Sequence, residues 1–152
     1  MSYEAQIYET ITINHVVNGA EVTNGSFSTT SDIDNPIDNT TNKYLYAKAT
    51  FVLYDLSAAP SAGLTVDLYR RGLEVKGSLN EPEPDANYKG TFVGSFLIDA
   101  ADPGGTEVPY VLMGIPLLPN KMSFYIQNNL GVTISANWDL DITPYTFRPI
   151  TT

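Results

Sequence analysis

VTISANWDLDIT, residues 132–143, alternates without a break. Apolar Val132, Ile134, Ala136, Trp138, Leu140 and Ile142 share one parity; polar Thr133, Ser135, Asn137, Asp139, Asp141 and Thr143 share the other. Successive side chains leave a strand on opposite faces, so a period of two predicts a half-buried strand, whereas a helix would spread the apolar groups round its axis.

The same period recurs outward from this stretch. Residues 122–127 carry Met122, Phe124 and Ile126 on one face, and residues 128–131 (NNLG) join them to 132–143 at hairpin spacing. In 44–54, Leu45, Ala47, Ala49, Phe51 and Leu53 are expected inward, with Tyr44, Tyr46, Lys48, Thr50, Val52 and Tyr54 on the other face. Further strands are expected at 64–69, at 91–98 with Phe92, Phe96 and Ile98 on one face, and at 110–118, with a short segment at 73–75. Residues 6–14 form a strand whose apolar stripe is interrupted by Glu9, and Ser/Thr/Asn-rich 22–30 reads as an edge or arm. Asn18-Gly19, Asn24-Gly25 and Asp102-Pro103-Gly104-Gly105 supply turns, because Gly and Asn accept positive φ at little cost. No helical period intervenes. The expectation is an all-β chain, an antiparallel β-sandwich of about eight strands with jelly-roll connections, an immunoglobulin-like sandwich being the alternative. It forms one domain over 1–152, with 1–30 as an extended N-terminal arm.

Composition narrows the function classes. Asp and Glu number 17 against 8 Lys and Arg, for a formal charge of −9. The cations are scattered, which argues against nucleic acid and against an anionic membrane as partners, and favours a locally basic protein surface. With no cysteine and a single histidine, thiolate and imidazole metal sites lack ligands. The opening MSYEAQIYET has neither the basic nor the apolar region of a secretory signal, and no apolar run has the length of a membrane span. The expected location is the cytosol, or a virus particle released by lysis.

Candidate chemistry is sparse. His15 is the one histidine, no G-x-S-x-G elbow accompanies it, and it reads as a strand-end surface residue. Asp32, Asp34 and Asp38 crowd one loop, but Pro36 interrupts them and the spacing departs from a calcium loop, so they read as turn-forming aspartates. Glu81, Glu83 and Asp85 alternate with prolines on an exposed loop rim. Asp139 and Asp141 stand about 7 Å apart on one strand face, close enough for a glycosidase pair, but on an outer face both are expected solvated with ordinary pKa values. Tyr44, Tyr46 and Tyr54 are candidates for an interface or for stacking on sugar rings. Tyr3, Ile7, Tyr8, Ile11 and Ile13 place more apolar surface at the N-terminus than a free tail carries, which predicts a pairing strand.

The stretch MSFYIQNNLGVTISANWDLDITPYTF, residues 122–147, resembles small structural proteins of tailed-bacteriophage particles. The parallels are Phe124-Tyr125-Ile126-Gln127-Asn128-Asn129, the turn at Gly131, and Pro144-Tyr145-Thr146, in an acidic, cysteine-free, Thr/Asn/Tyr-rich chain. The resemblance implies a virion protein, a jelly-roll head decoration or cement subunit. It implies a homo-oligomer, of the trimeric kind, bound to other virion proteins, with no enzymatic activity and no cofactor. The contact residues expected are Tyr3, Ile7, Tyr8, Ile11, Ile13, Tyr44, Tyr46 and Tyr54. The alternative is a carbohydrate-binding or receptor-binding module of a tail-fibre tip.

Overall fold

The computed structural model describes residues 5–9, 11–99 and 101–149, with the backbone alone for 5–9, 148 and 149. Among the described residues nine strands are present: β1 (Ala5–Glu9), β2 (Ile13–Gly19), β3 (Ile37–Asp38), β4 (Tyr46–Leu53), β5 (Thr65–Leu73), β6 (Thr91–Leu97), β7 (Val108–Pro116), β8 (Lys121–Asn129) and β9 (Trp138–Pro149). A single 3-10 turn, Thr30–Asp32, is the only helical element among the described residues.

All pairings are antiparallel and fall into two sheets. In the first, β9 lies between β4 and a shared edge made by β1 and β2, and β7 closes the far side of β4. The second has the order β3-β8-β5-β6. The pairs are nested in sequence: β5 with β6, β4 with β7, β3 with β8 and β2 with β9. From β2 onward every connection except β5–β6 crosses from one sheet to the other. The expected antiparallel β-sandwich is the architecture of this chain.

The core lies between the sheets. Ala47, Ala49, Phe51 and Leu53 on β4 face Val66, Leu68, Phe124 and Ile126 of the other sheet's strands, and all are fully buried. The Phe51 ring sits 5.6 Å from Phe96 and 5.9 Å from Trp138. Each of the larger of these, the Phe, Leu, Ile and Val side chains, contributes about 1.5–3 kcal/mol by leaving water. Trp138 is core, and its indole N–H donates to the Ala20 carbonyl at 2.7 Å, so the ring is buried without an orphaned donor.

Four local expectations are corrected. The strand expected over 132–143 begins only at Trp138, because Asn137 adopts φ 75° and its N–H turns to the Gly19 carbonyl. Before it, Ile134 forms isolated bridges to Val22 and Leu56, and Ala136, expected inward, is exposed. After it, β9 passes Pro144 and runs to Pro149. Second, Tyr44 and Leu45 exchange roles: Leu45 is 64% exposed, while Tyr44 packs on the core edge, its N–H and C=O both held by the Asn39 side chain at 2.8 Å. Third, Phe92 is 56% exposed while Phe96 and Ile98 are buried. An extra residue on β6, between the pairs Leu68↔Gly94 and Tyr69↔Phe92, shifts the parity of Phe92. Fourth, 1–30 is not all extended arm: β2 belongs to the first sheet, and Val22 and Ser28 are buried.

Candidate functional site

A bulge decides the fate of the only histidine. Asn14 pairs with Asp141 and Val16 with Leu140, so β2 carries one extra residue, His15, and both His15 and Val16 turn inward. His15 is fully buried, not a surface residue as expected. Its Nε2 accepts from the Phe124 N–H at 2.9 Å and its Nδ1 donates to the Asn35 carbonyl at 2.7 Å. Burial holds its pKa below the ordinary imidazole value, against smaller opposing effects of the two backbone contacts and Asp34. The neutral ring joins β2 to β8 across the sandwich, and its two nitrogens bond backbone groups of Asn35 and Phe124.

The acidic clusters serve the backbone. Asp32 accepts from the N–H groups of Ala20 and Thr29, Asp34 from that of Val17, and Asp38 from the N–H and hydroxyl of Thr40. Asp32 and Asp34 shape the loop that carries β2 toward β3, and Asp38, at the end of β3, shapes the turn that follows it. Among the described residues no three His, Asp or Glu side chains gather to hold a metal ion. On β9, Asp139 accepts from the Asn18 N–H at 2.7 Å. Partial burial and the neighbouring Asp139 raise the pKa of Asp141, where an ordinary value was expected.

The loop after β5 is a strap rather than a free rim. Glu81 accepts from the Gly72 N–H, and its carbonyl receives Arg71 Nε, both at 2.7 Å. Glu83 accepts from the Thr30 N–H, and Asp85 from the N–H groups of Asn87 and Tyr88. Arg71 also donates to the Tyr125 hydroxyl at 3.1 Å, which fastens the strap over the outer face of the second sheet. Between this strap and residues 25–29, where Phe27 bridges to Gln127, opens a cleft of about 440 Å³. It is lined by Phe27, Ser28, Thr29, Glu83, Pro84 and Asp85, with small residues beside them. From Phe27 an aromatic row crosses the sheet. Phe27 meets Tyr69 edge-on at 5.3 Å, and Tyr69 meets Phe92 at 5.6 Å.

The expected contact residues divide. Tyr3 lies outside the described residues. Ile7 and Tyr8 belong to β1, whose backbone pairs with residues 145–149 of β9, Ile7 opposite Phe147 and Tyr8 opposite Thr146. Ile11 is 87% exposed between β1 and β2, whereas Ile13 packs on the core. Tyr44 and Tyr54 are partly buried, and the Tyr54 carbonyl holds the Gly105 N–H at 2.9 Å. Of the three tyrosines, Tyr46 alone stands out on the sheet. It stacks on Tyr145 at 5.9 Å and meets Phe147 at 6.0 Å, forming an aromatic cluster beside β1. Tyr145 and Phe147 were missed because the last strand was expected to span only residues 132–143, whereas β9 runs on to Pro149.

No protein-family model, curated protein or solved structure matches this chain.

Proposed function

We propose that this chain is a structural subunit of a tailed-phage particle, a jelly-roll decoration or cement protein that binds the capsid surface and assembles as a homo-oligomer. The observation that carries the reading is the nested pairing β2–β9, β3–β8, β4–β7 and β5–β6, with sheets ordered β2-β9-β4-β7 and β3-β8-β5-β6. That order supports a jelly roll, an architecture used by viral capsid domains and by lectins. The aromatic cluster of Tyr46, Tyr145 and Phe147 beside β1 favours a role in assembly, since Tyr and Phe anchor interfaces. Binding to the assembled shell would then stabilise it by mass action. The test is cosedimentation of the purified protein with particles of the phage that encodes it, stripped of this chain. Saturable pelleting supports the proposal, and no pelleting over the whole concentration range removes it.

A second reading, a carbohydrate- or receptor-binding module, draws on the aromatic row Phe27–Tyr69–Phe92, because aromatic faces stack on sugar rings. A glycan array separates the two. The decoration reading expects no hits, whereas hits lost in Phe92→Ala would favour the module.

A further inference from the structure

The cleft between residues 25–29 and the strap has a chemical bias of its own. Two carboxylates, Glu83 and Asp85, and one aromatic ring, Phe27, line it, and among the described residues no lysine, arginine or histidine does. One oxygen of each carboxylate is committed to backbone N–H groups: Glu83 Oε1 to Thr30, and Asp85 Oδ1 to Asn87 and Tyr88. Glu83 Oε2 and Asp85 Oδ2 accept no hydrogen bond from the described residues. The walls are pre-set. The strap is fastened through Glu81 and Arg71 to β5, and the opposite wall is fastened to β8 by the Ser28 N–H on the Ile126 carbonyl and the Asn128 N–H on the Ser26 carbonyl. Arg71 spends its guanidinium on Glu81, Thr30 and Tyr125, so it holds the strap without forming an ion pair in the cleft. The volume of about 440 Å³ falls within the range of small-ligand clefts, ample for the tip of one side chain.

We infer that this cleft takes a basic side chain, arginine or lysine, presented by the particle surface that the proposed function assigns as partner. A guanidinium fits this lining well. It is planar, it can receive both carboxylate oxygens as hydrogen-bond acceptors, and it stacks on an aromatic face. The charge balance agrees: at −9 the chain attracts a locally basic surface, and the cleft adds fixed acceptors at one point on it. The aromatic row that starts at Phe27 ends across the sheet at the exposed Phe92, an apolar contact available to a larger partner surface. The inference rests on the particle-binding reading for its partner and on the cleft alone for its ligand chemistry.

The experiment has two arms. In the first, amide NMR spectra of the whole chain are titrated with N-acetylarginine amide, N-acetyllysine amide and, as a neutral probe, N-acetylglucosamine. Arginine amide should shift residues 25–29 and 83–86. Glu83→Gln and Asp85→Asn, which keep the backbone acceptors, should each weaken it about three-fold, and together about ten-fold. Unshifted cleft amides, shifts indifferent to both variants, or equal response to the sugar would overturn the inference. In the second arm, the double variant, checked by thermal melting for an intact fold, is cosedimented with particles. Weaker pelleting than the unmodified chain supports a basic partner contact. Undiminished pelleting overturns it while leaving the particle-binding function standing, and failure of the unmodified chain to pellet removes that function and the partner with it.

Discussion

The Nε2 of His15 accepts the N–H of Phe124 at 2.9 Å, and the bond joins the edge strand of one sheet to a central strand of the other. The acceptor exists only while the ring is neutral. A proton on Nε2 would break the bond, orphan the buried Phe124 N–H and place a charge in the core. The native pKa lies below the ordinary value, so the unfolded chain binds the proton first as pH falls. Stability is therefore complete above pH about 6.5 and declines below it, by up to about 1.4 kcal/mol per unit, until the native pKa is reached. Melting temperatures between pH 8 and 5 check this. In His15→Gln, which is less stable at pH 8, the decline between pH 6.5 and 5.5 should flatten.

The bulge that buries His15 also marks the limit of sequence legibility. Two-fold alternation locates strands, and it placed the strongly periodic cores of β4, β8 and the 138–143 half of β9 because their inner faces carry Phe51, Phe124, Trp138 and Leu140 in unbroken register. One inserted residue inverts parity without leaving a residue-type signature. His15, Phe92 and the exposed Ala136 were each misjudged at such a shift or at a positive-φ break. The cleft was less legible still. Glu83 and Asp85 look like a solvated rim until Arg71 and Glu81, ten residues apart in sequence, fasten their loop over the second sheet. Pairing between remote segments is a tertiary property that no local period encodes.

Gly19 pairs with Trp138, and a Cβ at that position would overlap the indole ring. Gly19→Ala should therefore push the only tryptophan off its packing against Phe51 and strain the bond to Ala20. Overpacking of this kind costs about 1–3 kcal/mol. The expected readout is a lower melting temperature together with a red shift of tryptophan emission in the folded state. An unchanged spectrum and stability would mean that the backbone yields at this edge.

Asp141 is the carboxylate whose charge the fold opposes. Its raised pKa comes from partial burial first and from Asp139 second. A native pKa above the unfolded one destabilises the fold at pH values above it, and the penalty disappears below the unfolded pKa. Asp141→Asn should raise the melting temperature at pH 7, by an amount equivalent to about 0.5 kcal/mol or less after screening by solvent, and the gain should vanish near pH 3. Denaturant titrations at the two pH values measure both.

Deletion of residues 1–12 removes β1 while keeping β2 and His15. It uncovers the β9 edge from residue 145 to 149, next to Tyr46, Tyr145 and Phe147. If this end of the first sheet carries assembly, the truncated chain should stay folded by circular dichroism yet sediment as a smaller species and bind particles less. Retention of the full oligomer would confine β1 to its own sandwich.

The proposed role as a particle subunit is tested most directly by a cryo-electron microscopy map of intact particles of the phage that, on that proposal, would encode this chain. Density is expected on the capsid exterior that accommodates the two sheets, present at symmetry-related sites, with the cleft at Glu83 and Asp85 turned toward a neighbouring subunit. Particles whose fully assigned density leaves no place for this sandwich would contradict it.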